Sequence, residues 1–327
     1  MIDRRLRVLQ AIARHGTVTA AAQVCRLTPS AVSHQVQALA RELDVALLEP
    51  AGRGVRLTPA ARTLLAHSEI LTAAWERAQA DLDVHRAGDV GGTLRFCGFS
   101  SAAAAVVPRA LDHLRRGHPA LRVHLREVEP ARAFDLLASD DTDIAVVVAT
   151  PDIPPVTDAA FDQHALYDEP LDVLVGPDHP LVGAAEVALS DLAADPWICS
   201  DPGRAYHQLV TLACASAGFA PDIAHYADEW DTGAALVARG FGVAMVPRLA
   251  DLPARHDTRR IAISTPPVPI RHVITAVRAG SQGRPTIAAG LEALRHVTAV
   301  APLGLDPAGS EVLSSRARGA HDDPATR

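Results

Sequence analysis

The chain has 327 residues, 48% of them apolar, four cysteines and a formal net charge of −7. Its length supports two or three compact units, and its apolar content excludes a wholly disordered chain. No run of about 18 apolar residues and no signal-peptide pattern occurs, which excludes a transmembrane helix and a membrane partner and predicts a cytoplasmic protein.

Leu6, Leu9, Ile12 and Ala13 form a first helical stripe that breaks at Gly16, and a short alanine-rich helix is predicted over 19–25. After the Arg26-Leu27 turn, Thr28 supplies an N-cap oxygen, and Pro29 takes the first helical position, where a missing N–H costs nothing. Val32, Val36, Leu39 and Leu43 recur at helical spacing and would share the buried face of this third helix. Thr28, Ser30, Ser33, His34, Gln37 and Arg41 stay at its start and on its other side, where such groups can hydrogen-bond base edges and phosphates. Helix, helix, tight turn and polar-faced helix is the order of a helix-turn-helix module. Residues 45–48 and 55–57 then flank Pro50-Ala51-Gly52-Arg53-Gly54, which fits a two-stranded wing with Arg53 at a basic tip.

An ordinary three-helix bundle could show the same spacing, so charge has to decide. Residues 1–60 carry eight Arg against four acids, whereas residues 91–327 carry twenty Arg against twenty-nine acids. A basic end on an acidic chain predicts that double-stranded DNA is met by the N-terminal part alone. Thr58-Pro59 repeats the cap-plus-proline start, and Leu64, Ser68, Leu71, Trp75, Ala78 and Leu82 alternate at spacings of four and three. Most such stripes pack on their own domain. This one leaves a DNA-binding module and ends at the glycine-rich segment 86–92, so Leu64, Leu71, Trp75 and Leu82 are predicted to pair with a second copy. Two recognition helices held one turn of DNA apart would read a pseudo-palindrome.

The VSHQV core of the third helix and the GRGVRLTPAA stretch resemble the winged helix-turn-helix of LysR-type transcriptional regulators, and a weaker similarity continues to about residue 300. Two departures stand out. Leu47-Leu48-Glu49-Pro50 lacks the Arg usual before the family's wing, and Ala61 replaces a usual Gly, so the first departure predicts weaker non-specific affinity. The resemblance implies an α+β multidomain chain: a winged helix-turn-helix, a long linker helix and a two-lobed α/β periplasmic-binding-protein-like effector domain. It also implies a homodimer or homotetramer.

From Thr93 the period changes. Strands are predicted over 93–97, 121–127, 144–148, 171–175, 197–199, 243–246 and 270–277, with helices over 102–116, 131–139, 204–217, 231–239 and 286–300 and a helix start at Asp191-Leu192. Their alternation implies parallel strands with crossover helices. The expected units are a DNA-binding domain over 1–58, a linker helix over 59–90, an effector domain over 91–302 and a disordered tail over 303–327. Within the effector domain, subdomain one spans 91–167 and 269–302, and subdomain two spans 168–268.

A small-molecule effector in such a pair sits between the lobes, at strand ends and helix starts. Ser100 and Ser101 follow the first strand and could seat an anion, although Ser100 could equally be a plain N-cap; the resemblance implies that residues after this strand line the effector site. Glu129, Cys199-Ser200 and Asp228-Glu229 occupy other strand ends, where acids are usually just solvated. A pocket-facing Glu129 or Glu229 would favour an amine-bearing or hydroxylated ligand over a simple dicarboxylate.

Cys25, Cys97, Cys199 and Cys214 show no C-x-x-C spacing, and no His-x-x-x-His pair occurs, so no metal site is predicted. Isolated thiols are mostly buried hydrophobes. Because some LysR-type relatives sense oxidants through a cysteine pair in subdomain two, a redox-sensing regulator using Cys199 and Cys214 is an alternative. A second alternative is a small-molecule-binding protein whose N-terminal bundle serves only assembly. No nucleophile elbow, Walker loop or dinucleotide fingerprint is present; neither an enzyme nor a cofactor is expected.

Overall fold

The computed structural model describes residues 3–52, 54–85, 90–264, 266 and 268–300; Arg53, most of the glycine-rich junction and the predicted tail lie outside the described residues. Helices α1 (Arg4–His15), α2 (Val18–Cys25) and α3 (Pro29–Glu42) form the N-terminal module. Asp3, Thr17 and Thr28 cap them by accepting from the N–H groups of Arg5, Ala20 and Ala31 at 2.9, 3.1 and 3.2 Å. The tight turn after α2 places Arg26 in the left-handed region at φ 54°.

Val32, Val36 and Leu39 of α3 pack on Val8, Leu9, Ile12, Ala21 and Ala22 in one core. Leu43, expected to extend this stripe, is 42% exposed because the helix ends at Glu42 and the chain turns at Asp44, φ 52°. Ala13 is also exposed, and Val8 takes the buried place in α1. Strands β1 (Leu48–Ala51) and β2 (Gly54–Leu57) pair antiparallel in register Leu48 to Leu57, forming the wing.

Helix α4 (Pro59–Val84) buries mostly small side chains and leaves several large ones in solvent. Ala61, Leu65, Ser68, Ala73, Glu76 and Ala80 are buried against the rest of the chain. Leu71, Trp75 and Leu82 are 61%, 45% and 62% exposed, and Leu64 is half-buried. Small residues allow close approach: a Cβ on Gly280, at φ 79°, would collide with the Ala73 carbonyl. Beside this contact Arg278 Nε donates to Glu76 Oε1 at 3.0 Å, with both side chains largely buried, and Arg284 Nε donates to Asp83 at 3.3 Å. His15 and Asp135, 2.8 Å apart, and Arg26 and Asp141, 3.2 Å apart, join the helical module to the same body.

That body begins with β3 (Gly92–Gly98), α5 (Ser100–Ala105), α6 (Val107–Gly117), β4 (Leu121–Glu127), α7 (Pro130–Ala138), β5 (Ile144–Val148) and β6 (Phe161–Val175). The helix expected over 102–116 is broken at Val106, where Pro108 cannot donate to the preceding turn. Then come β7 (Glu186–Val187), a 3-10 turn (Leu189–Leu192), β8 (Pro196–Cys199), α8 (Ala205–Ser216), β9 (Asp222–Tyr226) and α9 (Trp230–Val237). β10 (Ala244–Pro247), β11 (Arg259–Ile263), β12 (Ile270–Arg278) and α10 (Pro285–Val300) close the described chain.

β3 pairs parallel with β4 and β5, as the alternation of elements predicts. β12 departs from that expectation, running antiparallel to both β5 and β6. β6 is three times longer than predicted. Its first part, from Phe161 to Pro170, pairs with β12, and its second part, from Leu171 to Val175, pairs with β10 and β11. One strand therefore serves two lobes with separate cores, the first built on Leu94, Phe96, Ile144 and Leu294, the second on Val173, Trp197 and Val243.

Candidate functional site

On α3 the buried and solvent sides divide cleanly. Ser30, His34, Gln37 and Arg41 are exposed and Ser33 is half-buried, opposite Val32, Val36 and Leu39. Thr28 is exposed too, but its hydroxyl is engaged as the cap and lies 3.0 Å from Ser30 Oγ. Among the described residues Arg41 makes one hydrogen bond, at 3.4 Å to the carbonyl of Gln37 one turn back, which leaves most of its guanidinium donors available. On the wing, Arg56 is held by Glu49 at 3.0 Å. Arg53 lies outside the described residues. The module thus offers a row of donors and acceptors along a helix whose axis is fixed by its buried stripe.

A second site opens between the lobes as a cavity of about 130 Å³. Helices α5, α7, α8 and α9 all begin at its wall, at Ser100, Pro130, Ala205 and Trp230. Of the predicted effector residues, Ser100, Glu129, Cys199, Ser200 and Glu229 line it. Ser100 is the first helical residue and not the cap, which is Phe99.

Ser101 does not line the cavity. It is 3% exposed and its Oγ accepts from Arg271 Nη2 at 2.7 Å, so the hydroxyl expected to seat an anion is spent inside the protein. Arg271 also holds Glu169 Oε2, at 3.1 Å from Nε and 2.5 Å from Nη2, and lies 4.9 Å from the centre of the Phe99 ring. Glu169 is fully buried, and its other oxygen accepts from Leu249 N–H at 2.9 Å. This carboxylate sits near the end of the β12-paired part of β6 and ties that strand to Arg271 of β12 and to the segment that follows β10.

Arg204, which the sequence reading missed, joins the lobes at the rim. It donates to Glu129 of the first lobe at 3.0 Å and to Asp228 of the second at 2.8 Å. Deeper in, Tyr206 donates to the Met245 carbonyl at 2.8 Å and packs edge-on against Trp230. Burial pushes the Tyr206 phenol up, so it acts as a donor. Two further lining hydroxyls, Ser200 Oγ and Thr150 Oγ1, are buried with no nitrogen or oxygen partner among the described residues.

Cys199 and Cys214 are both buried in the second lobe. Burial raises both thiols, Cys214 to about 12. A redox sensor needs a thiolate near neutral pH, and these surroundings oppose one. Iodoacetamide at neutral pH is therefore expected to leave Cys199 and Cys214 unlabelled in the native protein while labelling all four cysteines of the urea-unfolded chain. Rapid native labelling of either, read by mass spectrometry, would revive the redox alternative.

The family model described as LysR substrate binding domain matches residues 87–299, and the one for bacterial regulatory helix-turn-helix protein, lysR family, matches residues 4–62. Transcriptional dual regulator GltC of Bacillus subtilis (strain 168) is 28% identical over 248 residues, 75% of this chain and 80% of its own length. DNA-binding transcriptional dual regulator OxyR of Escherichia coli (strain K12) is 26% identical over 300 residues, 89% of this chain and 94% of its own length. Among solved structures, a full-length OxyR variant from Pseudomonas aeruginosa has a TM-score of 0.60 at 23% identity, covering 89% of this chain and 96% of that one. Full-length BenM has a TM-score of 0.54 at 23% identity, with coverage of 90% and 95%. These structures share the fold. With both family models matched across most of its length, the chain belongs to the LysR family, as a DNA-binding transcriptional regulator with an effector-binding domain and not an enzyme.

Proposed function

We propose that this regulator binds a pseudo-palindromic promoter site as a homodimer in the cytoplasm and that a small molecule in the interlobe cavity changes its action on transcription. The reading rests on the free polar side of α3, where Ser30, Ser33, His34, Gln37 and Arg41 stand clear of the core. These residues, with Thr28 at the helix start and Arg53 at the wing tip, are assigned to DNA. Ser100, Glu129, Cys199, Ser200 and Glu229 are assigned to the effector. Residues 1–58, 59–90 and 91–302 are the corresponding units, with the effector domain divided at 167/168 and 268/269.

The effector works by differential affinity: a ligand that binds the closed arrangement of the lobes better shifts the population toward it. Among the described residues no helix is long and apolar enough to cross a membrane. A salt titration of binding to the fragment upstream of its own gene, against a scrambled fragment, tests the DNA reading. A salt-sensitive preference of about 10³-fold is expected; equal, weak binding, followed by failure of a genomic selection, would sink it.

The exposed seam of α4 supports assembly through a second copy, and a homotetramer would be a pair of such dimers. Trp75 is large, rigid and half in solvent, the kind of residue that anchors an interface. Trp75→Asp is expected to weaken dimerisation by about 30-fold or more. In sedimentation velocity at micromolar concentration the variant should run as a monomer; an unchanged dimer would place the interface elsewhere.

A further inference from the structure

We propose, resting on the reading of the interlobe cavity as the effector site, that its ligand is a small cationic amphiphile. An ammonium group pairs with Glu229 at the rim, an apolar or aromatic body fills the cavity, and one hydroxyl or carbonyl reaches Ser200 and Thr150.

Charge is the first argument. Two guanidiniums line the cavity, and both are already engaged: Arg271 by buried Glu169 at 2.5 Å, Arg204 by Asp228 at 2.8 Å and Glu129 at 3.0 Å. Glu229, by contrast, lines the cavity and makes no ion pair among the described residues. An incoming carboxylate would have to displace one of the chain's own acids from an arginine and then face the others. An incoming ammonium meets a carboxylate that has nothing to give up.

The helix starts do not reverse this balance. Of the four helix starts at the wall, those of α7 and α9 carry Glu129 and Glu229 at the N-cap, that of α8 follows Arg204, already paired with two acids, and α5 is only six residues long. Neither glutamate side chain closes a capping hydrogen bond, which leaves the Glu229 oxygens available to a donor from a ligand.

The interior supplies the rest. Its walls are mainly apolar, with Phe99, Trp230 and Met245 among them, and suit a hydrocarbon or aromatic body. Ser200 is 7% exposed, and its Oγ has only the weakly accepting Cys199 thiol beside it among the described residues; the Oγ1 of half-buried Thr150 has no hydrogen-bond partner among them. Buried hydroxyls without partners are costly, so a ligand oxygen that pairs with them gains a well-placed hydrogen bond.

Calorimetric titration of the full-length protein with tyramine, 3-(4-hydroxyphenyl)propionate and 4-ethylphenol separates the possibilities, since these share a phenol and differ in the charge of the tail. Tyramine is expected to bind at least about tenfold tighter than either of the others. Glu229→Gln should remove about tenfold of tyramine affinity and leave 4-ethylphenol unchanged, whereas Ser200→Ala should weaken both. A carboxylate probe that equals or beats tyramine overturns the proposal. So does an unaffected Glu229→Gln, or no binding by any of the three at millimolar concentration to protein with native circular dichroism. Gly233→Leu distinguishes this failure from that of the site itself. Gly233 lines the cavity and a Cβ there meets no atom within 4 Å, so a side chain can start there without a clash and take up space at the cavity wall. If the carboxylate wins and Gly233→Leu abolishes its binding, the amine assignment fails and the effector site stands; if Gly233→Leu leaves binding of the tightest probe untouched, both fail.

Discussion

Replacing Glu169 with leucine is expected to lower folding stability by about 3–5 kcal/mol, a large share of what a domain possesses. Glu169 is fully buried and accepts two bonds from Arg271 and one from Leu249 N–H. Without it the Arg271 guanidinium keeps only the Ser101 hydroxyl and the face of Phe99, in a position that water scarcely reaches. The cost is that of an uncompensated buried charge, not of the pair itself. Glu169→Leu combined with Arg271→Met should therefore recover most of the loss. Urea unfolding of the parent, the single variant and the double variant measures this, and a single variant within about 1 kcal/mol of the parent would show that the cation finds relief elsewhere. Because Arg271 lines the interlobe cavity, the double variant should also bind effector differently from the parent even where its stability recovers.

Changing Ser33, His34 and Gln37 together to alanine is expected to weaken binding to the specific site by about 10²- to 10⁶-fold, since each base-reading side chain contributes roughly 1–3 kcal/mol of discrimination. Alanine favours the helix, and none of the three side chains belongs to the buried core of α3. Folding and dimerisation should be unchanged. Non-specific binding should also persist, because it depends on phosphate contacts from arginines the variant retains. Electrophoretic mobility shifts on specific and scrambled fragments, alongside sedimentation of the free protein, give the three readings. Equal loss on both fragments would mean that α3 contacts backbone and that sequence is read elsewhere.

Local signals made the N-terminal module legible. Thr28-Pro29 marks the start of α3, and Val32, Val36 and Leu39 mark its buried side, because capping and periodicity both act within a few residues. Leu43 misled because periodicity carries no information about where a helix stops, and Asp44 in the left-handed region ends it one residue earlier. The first part of β6 escaped notice since FDQHALYDEP alternates poorly and contains Pro170. Its pairing with β12 is a tertiary fact. The cleft divides in the same way. Strand ends pointed to Ser100, Glu129, Cys199, Ser200 and Glu229, but Ser101 was misassigned because its partner, Arg271, lies 170 residues away. Arg204 gave no signal of its own, since its meaning comes from Glu129, 75 residues distant, and Asp228.

Once the outer contacts His15–Asp135 and Arg26–Asp141 part, the ion pair between Glu76 and Arg278 leaves α4 a lever with its fulcrum on the first lobe. From Glu76 back to Pro59 the helix runs about 26 Å, so a tilt of roughly 5° at the fulcrum carries the DNA-binding end through roughly 2 Å. That is more than half of the ~3.4 Å rise between neighbouring base pairs. In the proposed dimer, a mechanical gain of this size means that the lobes need to move very little for two heads to lose, or find, the spacing of their half-sites.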